Sequence, residues 1–320
     1  MVGPGRALSL RRNPPAAYPS PGMTASAITN AMTIDVEDYF QVSAMAPYIR
    51  RNEWDTRECR VERNVERILM LLGRHGTRAT FFTLGWVARR YPQLVRGIVA
   101  QGHELASHGY GHQRASDLGR EDFTEDIVRA KKLLEDIGGV AVQGYRAPSF
   151  SIGKGNLWAF DCLQATGHRY SSSLYPIQHD HYGMPDAPRF AHAVGEGLVE
   201  IPITTLRLGG RNWPSSGGGY FRLLPYALSR WMIGRVNAVD RQSAIFYFHP
   251  WEIDPAQPRV AGIDLKTRFR HHVNIDRMER RLDPLLRDFR WGRMDEIFLG
   301  SPDPIRSRLA ARGVPVLSAP

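Results

Sequence analysis

The chain has 320 residues, enough for one barrel-sized domain or two smaller ones. Hydrophobic residues make up 42% and charged residues 23%, the balance of a globular protein, and no apolar run reaches the ~20 residues of a membrane span. The net charge of +10 comes mostly from scattered arginines without a lysine-rich block. That argues against nucleic acid as a partner and leaves an anionic membrane surface or an acidic glycan. Two cysteines, Cys59 and Cys162, cannot form a disulfide framework and fit a reducing compartment.

Residues 1–30 are rich in Pro, Gly and Ala, lack the apolar core of a secretory signal, and read as a disordered leader, with Met23 and Met32 as alternative starts. Ala31 to Val36 reads as a buried strand ending in acids, and 37–59 as a loop with a short helix. Val65, Ile68, Leu69 and Leu72 form a helical stripe that stops at His75-Gly76. A strand over 79–84, a helix from Trp86 to Gln101 and a strand over 103–107 follow, the last delivering His108. Next come a helix from Glu121 to Ile137, a strand from Ala141 to Tyr145 and a helix from Asn156 to Ala165. Strands are expected over 170–174 and 197–206, a flexible loop over 215–219, and a helix from Leu224 to about Asn237. Ser243 to Phe248 is the last expected strand, and an Arg-rich helix spans Arg277 to Phe289. Alternating strands and helices predict an α/β chain with a parallel sheet or barrel inside and helices outside.

Four chemically capable residues, Asp35, His108, Arg146 and His249, each fall just after the carboxyl end of an expected strand, where barrel enzymes gather their chemistry. His108 and His112 offer two neutral nitrogens, and one carboxylate would complete a two-His, one-acid set with positions open for water and substrate. Asp35, Glu37 and Asp38 crowd three acids into four positions, a repulsion that a cation relieves. On a strand Asp35 and Glu37 share a face, so one can bind metal while the other takes a proton. Arg146 can pair with Asp35 and keep it ionised. His249, among Phe246, Tyr247, Phe248 and Trp251, suits a general acid of tuned pKa. Trp251, Trp213 and Tyr220 are candidates for stacking on sugar faces.

The stretches Thr33-Ile34-Asp35-Val36-Glu37-Asp38, Ser107-His108-Gly109-Tyr110-Gly111-His112, Gly144-Tyr145-Arg146-Ala147-Pro148 and Phe248-His249-Pro250, in this order, resemble the polysaccharide deacetylase family with the NodB homology domain, carbohydrate esterase family 4. Val36-Glu37-Asp38-Tyr39-Phe40, Gly144 to Phe150, Phe248 to Asp254 and the span from Arg268 to Asp295 resemble more closely the subgroup of exosortase/PEP-CTERM exopolysaccharide loci. The resemblance covers roughly residues 31–298. It implies a distorted (β/α) barrel over 31–250, a helical C-terminal extension over 251–298 packed on it, and a tail over 299–320. It further implies a hydrolase that removes acetyl from the amino sugars of an exopolysaccharide or its lipid-linked precursor. Asp35 matches the catalytic base, Arg146 the arginine that orients it, and His249 the general acid. His108 and His112 match the metal histidines. The usual acid after the base is Val36 here, so Glu37 is the expected third ligand and Asp38 the runner-up. Ser149 stands where an aromatic is usual; its N–H is expected to help hold the oxyanion, with Tyr145 and Trp251 beside the substrate.

The cofactor so implied is a divalent ion, Zn2+ first and Co2+, Ni2+ or Mn2+ as alternatives. The partner is an N-acetylated polysaccharide or oligosaccharide, met in the cytoplasm with peripheral association at the inner membrane face. Two further readings compete: hydrolysis of another non-peptide C–N bond, such as a cyclic amide, and glycan binding without catalysis.

Overall fold

The structure is a computed structural model describing residues 28–180 and 182–300; the rest of the expected leader and tail, 1–27 and 301–320, lies outside the described residues. Strand β1 (Thr29–Val36) is buried along nearly its whole length. Its alternation explains why. Met32, Ile34 and Val36 point out against the helix layer, whereas Ala31 packs in the interior cluster with Phe82, Ala106 and Tyr170. Period-2 geometry therefore turns Thr33 and Asp35 to the interior as well. Two short 3-10 turns follow within 43–56, and then α1 (Val61–Arg74), whose expected stripe of Val65, Ile68, Leu69 and Leu72 packs under β1.

Strand β2 (Thr80–Thr83) leads to α2 (Gly85–Arg90) and α3 (Pro92–Ala100). One continuous helix was expected here. Pro92 lacks an N–H and drives the residue before it out of helical geometry, so Tyr91 sits at φ −128°, ψ 63° and the helix breaks. Next come β3 (Glu104–Ser107), α4 (Arg120–Gly138), β4 (Gly144–Tyr145), α5 (Ala159–Ala165) and β5 (Tyr170–Ser171). Short β6 (His192–Ala193) was not foreseen, and the expected strand over 197–206 divides into β7 (Val199–Glu200) and β8 (Thr205–Leu208). Pro202 interrupts it, because it cannot donate to a ladder. Two left-handed glycines, Gly209 and Gly210 (φ 59° and 76°), then turn the chain into β9 (Arg211–Pro214), which pairs back antiparallel on β8. The expected flexible loop over 215–219 instead begins α6 (Gly218–Leu223), followed by α7 (Tyr226–Arg235) and β10 (Ile245–Phe248). The chain closes with α8 (Leu265–His272), α9 (Ile275–Asp288) and β11 (Arg290–Gly292).

The main sheet runs β10-β1-β2-β3-β4-β5-β7-β6, parallel except for the β6–β7 pair. Ala31 pairs with both Ile245 and Gly292, so β10 and β11 occupy opposite edges of β1. The sheet curls into a distorted α/β barrel, and in place of a ladder Thr204 Oγ1 accepts the Ile245 N–H at 2.6 Å. The carboxyl ends of β1, β3, β4 and β10 all open on one mouth. Among the described residues no helix is long and apolar enough to cross a membrane.

Glu200, at the end of β7, ties that strand to the chain leaving β5: its Oε1 accepts the N–H groups of Ser173 and Leu174 at 2.9 and 2.8 Å. Burial pushes its carboxyl up to about 7. The folded chain keeps this proton to near neutral pH, whereas the unfolded chain releases it in the ordinary carboxyl range. Stability from this group is therefore lost as pH rises through that window. Glu200→Gln keeps an oxygen for both N–H groups and never ionises. Its stability relative to wild type should rise between about pH 5 and about pH 8, reaching on the order of 3 kcal/mol. Thermal denaturation across that range measures this, and a difference that stays flat with pH would refute it.

Candidate active site

His108 leaves the end of β3 with its Nδ1–H donating to the Arg146 carbonyl at 2.8 Å. A carbonyl can only accept, so Nδ1 carries the proton and the lone pair of Nε2 is left for a ligand. Burial pulls the ring's pKa down to about 4, which keeps it neutral. The turn to His112 is pinned by Asp126 of α4, which accepts the Tyr110 N–H at 2.8 Å. Gly109 is required there: it sits at φ 74°, and a Cβ on it would lie 2.7 Å from Asp126 Oδ2. His112 itself takes φ 56°, a left-handed conformation held at the pocket wall.

Beyond β1 the Glu37 N–H bonds the Asp35 carbonyl at 3.0 Å, a tight turn that brings the Glu37 carboxylate to 2.6 Å from His112 Nε2. Burial would raise its pKa, but the charge and hydrogen bond of His112 prevail and bring it down to about 2. Ligand atoms of Glu37, His108 and His112 all lie within 4.8 Å of one another, and all three residues are buried. Two imidazoles and one ionised carboxylate, converging where water is scarce, fit a divalent cation. Asp38 is committed elsewhere. It accepts the N–H groups of Tyr39, Arg60 and Val61, the last two at the start of α1, while burial pushes its carboxyl up to about 6.

Asp35 lies beside this set, bonded by Arg146 Nη1 at 2.6 Å. Arg146 is fully buried and also donates to Thr33 Oγ1, to the Ser172 carbonyl and to Ser172 Oγ. His249 closes the opposite side: its Nε2 stands 3.4 Å from Glu37 and 3.9 Å from Asp35. Its Nδ1 is 3.0 Å from Glu252, a residue the sequence reading missed although it stands three positions on, in His-Pro-Trp-Glu. Burial alone would lower the pKa of His249, but the Glu252 bond and the charges of Glu37 and Asp35 push it up to about 9. At neutral pH the ring is therefore protonated.

Three expected substrate contacts meet different fates. Ser149 follows β4 at φ 55°, with its Oγ 2.5 Å from Ser43 Oγ, and Phe150 follows at φ 50°. Two successive left-handed residues that are not glycine mark strain kept at a site. Tyr145, by contrast, is buried, its ring against Phe123 and His168 in the core. Trp251 is buried too, stacked between His249 (5.3 Å) and His271 (4.2 Å). Both correct the expectation of sugar contacts: these large apolar rings gain more from packing than from a wet cleft. Trp213, half exposed on β9, keeps an open face.

Residues 54–168 match the polysaccharide deacetylase family, a range that includes His108, His112 and Arg146. The chain carries a polysaccharide deacetylase domain. Residues 172–299 match a domain of unknown function, DUF3473, which contains Arg222, His249 and Glu252. A peptidoglycan-N-acetylglucosamine deacetylase of Bacillus cereus is 31% identical over 94 residues, 29% of this chain and 34% of that protein. A chitooligosaccharide deacetylase of Sinorhizobium fredii is 33% identical over 102 residues, 32% of this chain and 45% of that protein. The chain thus spans less than half the length of either relative. A solved structure of a candidate polysaccharide deacetylase from Mycobacterium smegmatis superposes with a TM-score of 0.57 at 20% identity, covering 98% of this chain and 99% of that one. An allantoinase superposes at 0.56 with 14% identity over 86% and 91% of the two chains, so the deacetylase domain shares its fold with a differently named enzyme.

The placement of the three acids separates their roles by experiment. Glu37→Gln should lose bound divalent metal by at least about tenfold in affinity. Asp38→Ala should keep the metal yet lower stability by about 1 kcal/mol, having removed the acceptor at the start of α1. Metal analysis and thermal denaturation of both variants check this. Metal retained by Glu37→Gln and lost from Asp38→Ala would reverse the assignment.

Proposed function

We propose that the protein is a metal-dependent hydrolase that removes N-acetyl groups from the amino sugars of a glycan and releases acetate. The observation that carries this reading is the juxtaposition of one acid bonded to a buried arginine with a separate acid among two histidines. Asp35 and Glu37 share one pocket, yet Arg146 holds the first and His112 faces the second. Glu37, His108 and His112 would hold the cation; the donor set suits Zn2+ and also accepts Co2+, Ni2+ or Mn2+. Such an ion supplies Lewis acidity toward the acetamide carbonyl and makes water more acidic.

The chain's own groups do the rest. Asp35, aimed by Arg146, takes the proton from the attacking water. The Ser149 N–H, on its strained turn, stands by the oxyanion that develops. His249 delivers its Nε2 proton to the sugar nitrogen as the C–N bond breaks, so the amine leaves neutral. The relatives' names place peptidoglycan and chitooligosaccharide among the substrates of those proteins. For this chain the reading is an N-acetylated exopolysaccharide or its lipid-linked precursor, with the net charge of +10 suited to an anionic membrane face.

Acetate release from N-acetylated chitooligosaccharide, with and without chelator, tests the reading. Chelation should abolish turnover and added divalent ion restore it. Asp35→Asn should lower turnover by about 10²- to 10⁴-fold with metal still bound. Wild-type turnover in Asp35→Asn, or activity on cyclic amides with none on the oligosaccharide, would sink it.

A further inference from the structure

The acid side of the pocket is built wholly from the segment that matches a domain of unknown function. We propose that Glu252 and Arg222 are positioning residues that hold His249 in its proton-delivering orientation, and that anchoring this pair on the end of α8 is what the C-terminal segment contributes to the reaction. The inference rests on the deacetylase reading above.

Glu252 Oε2 accepts the backbone N–H of His249 at 3.0 Å and lies 3.0 Å from its Nδ1, so one oxygen sets both the main chain and the ring. The other oxygen, Oε1, accepts Arg222 Nε at 2.8 Å. Arg222 spends its remaining donors on the end of α8. Nη1 bonds the carbonyls of His271 and Val273 at 2.9 and 2.8 Å, and Nη2 bonds that of Arg270 at 3.1 Å. Carbonyls in the last turn of a helix have no partner within it and carry the negative end of its dipole, so a guanidinium is the group that suits them. From the other side Gly218, at the start of α6, leaves room for the carboxylate: a Cβ there would fall 2.0 Å from Glu252 Oε2. Trp251 fills the gap between the His249 and His271 rings, so the imidazole is also held on its flat side.

Both side chains are 1% exposed. A buried ion pair is a poor source of stability, since apolar residues of the same volume often do as well. This pair differs from a mere core bridge because its carboxylate also reaches a ring in the pocket. With Nδ1 tied to Glu252, Nε2 is the nitrogen facing Glu37 and Asp35. When Nε2 gives its proton to the leaving nitrogen, the ring becomes neutral with its remaining proton on Nδ1, on Glu252. The bond therefore persists through the step and favours the tautomer it produces.

Two substrates separate positioning from structure. N-acetylated chitooligosaccharide leaves as an amine that must be protonated, whereas 4-nitrophenyl acetate leaves as a phenolate that needs no proton. Glu252→Gln should lower kcat on the oligosaccharide by roughly a hundredfold with KM little changed. Ester turnover should fall less than about threefold, and metal content should match wild type. Glu252→Asp should recover part of the loss. Arg222→Lys, which cannot reach three carbonyls and a carboxylate at once, should show the same split more weakly. Parallel loss of both reactions, loss of metal, or full amide turnover in Glu252→Gln overturns the positioning role. A wild type that cleaves the ester but never the oligosaccharide overturns the deacetylase reading, and this inference with it.

Discussion

One buried guanidinium holds the pocket together. Arg146 follows β4, and its nitrogens reach Asp35 and Thr33 of β1 and Ser172 just after β5, while its carbonyl takes the Nδ1–H of His108 after β3. A charge with no exposure survives only when its donors are answered and its faces covered. Phe82 covers one face at 4.1 Å, with Phe150 and Tyr247 farther out. The same residue thus orients Asp35 and sets the tautomer of a histidine among the metal-binding candidates. Strand ends brought together by the sheet are locked in register by its side chain.

The three acids at the end of β1 show how neighbours in sequence acquire different chemistry. Asp35 faces Arg146, Glu37 faces His112, and Asp38 turns back to the N–H groups of Arg60 and Val61 at the start of α1. Strand alternation puts the first on the interior face, and the tight turn after it swings the second toward the histidines. Only the third is removed from the pocket. With each carboxylate given its own partner, the repulsion expected from the bare sequence does not arise. Val36, where the family usually has an acid, is buried in the apolar layer under α1, a place no charge could occupy without a partner.

Much of the barrel's parallel core was legible in the sequence, because apolar periodicity is a local property that folding must satisfy. β1, α1, β2, β3, α4 and β10 follow it closely. The failures lie where one residue overrides the pattern. Pro92 broke a helix that Trp86 to Gln101 otherwise promised, and Pro202 cut a strand whose continuation turned at Gly209-Gly210 into a hairpin. β6 and β11 are too short to show any period. The aromatic residues misled in a different way: Tyr145 and Trp251 adjoin functional residues in sequence, but adjacency does not say which side of the backbone a ring takes.

From the order of residues alone came the chemical inventory: an acid, a histidine pair, an arginine and a final histidine, each at the end of a strand, and the family such a series resembles. Distance along the chain, however, carries no information about which carboxylate meets which cation. That Glu37 and not Asp38 joins the histidines, and that Arg222 stands behind the local His249–Glu252 pair, depends on contacts between segments far apart in sequence. Those contacts are set by the curl of the sheet and by where α1 and α8 pack, and only the folded chain decides them.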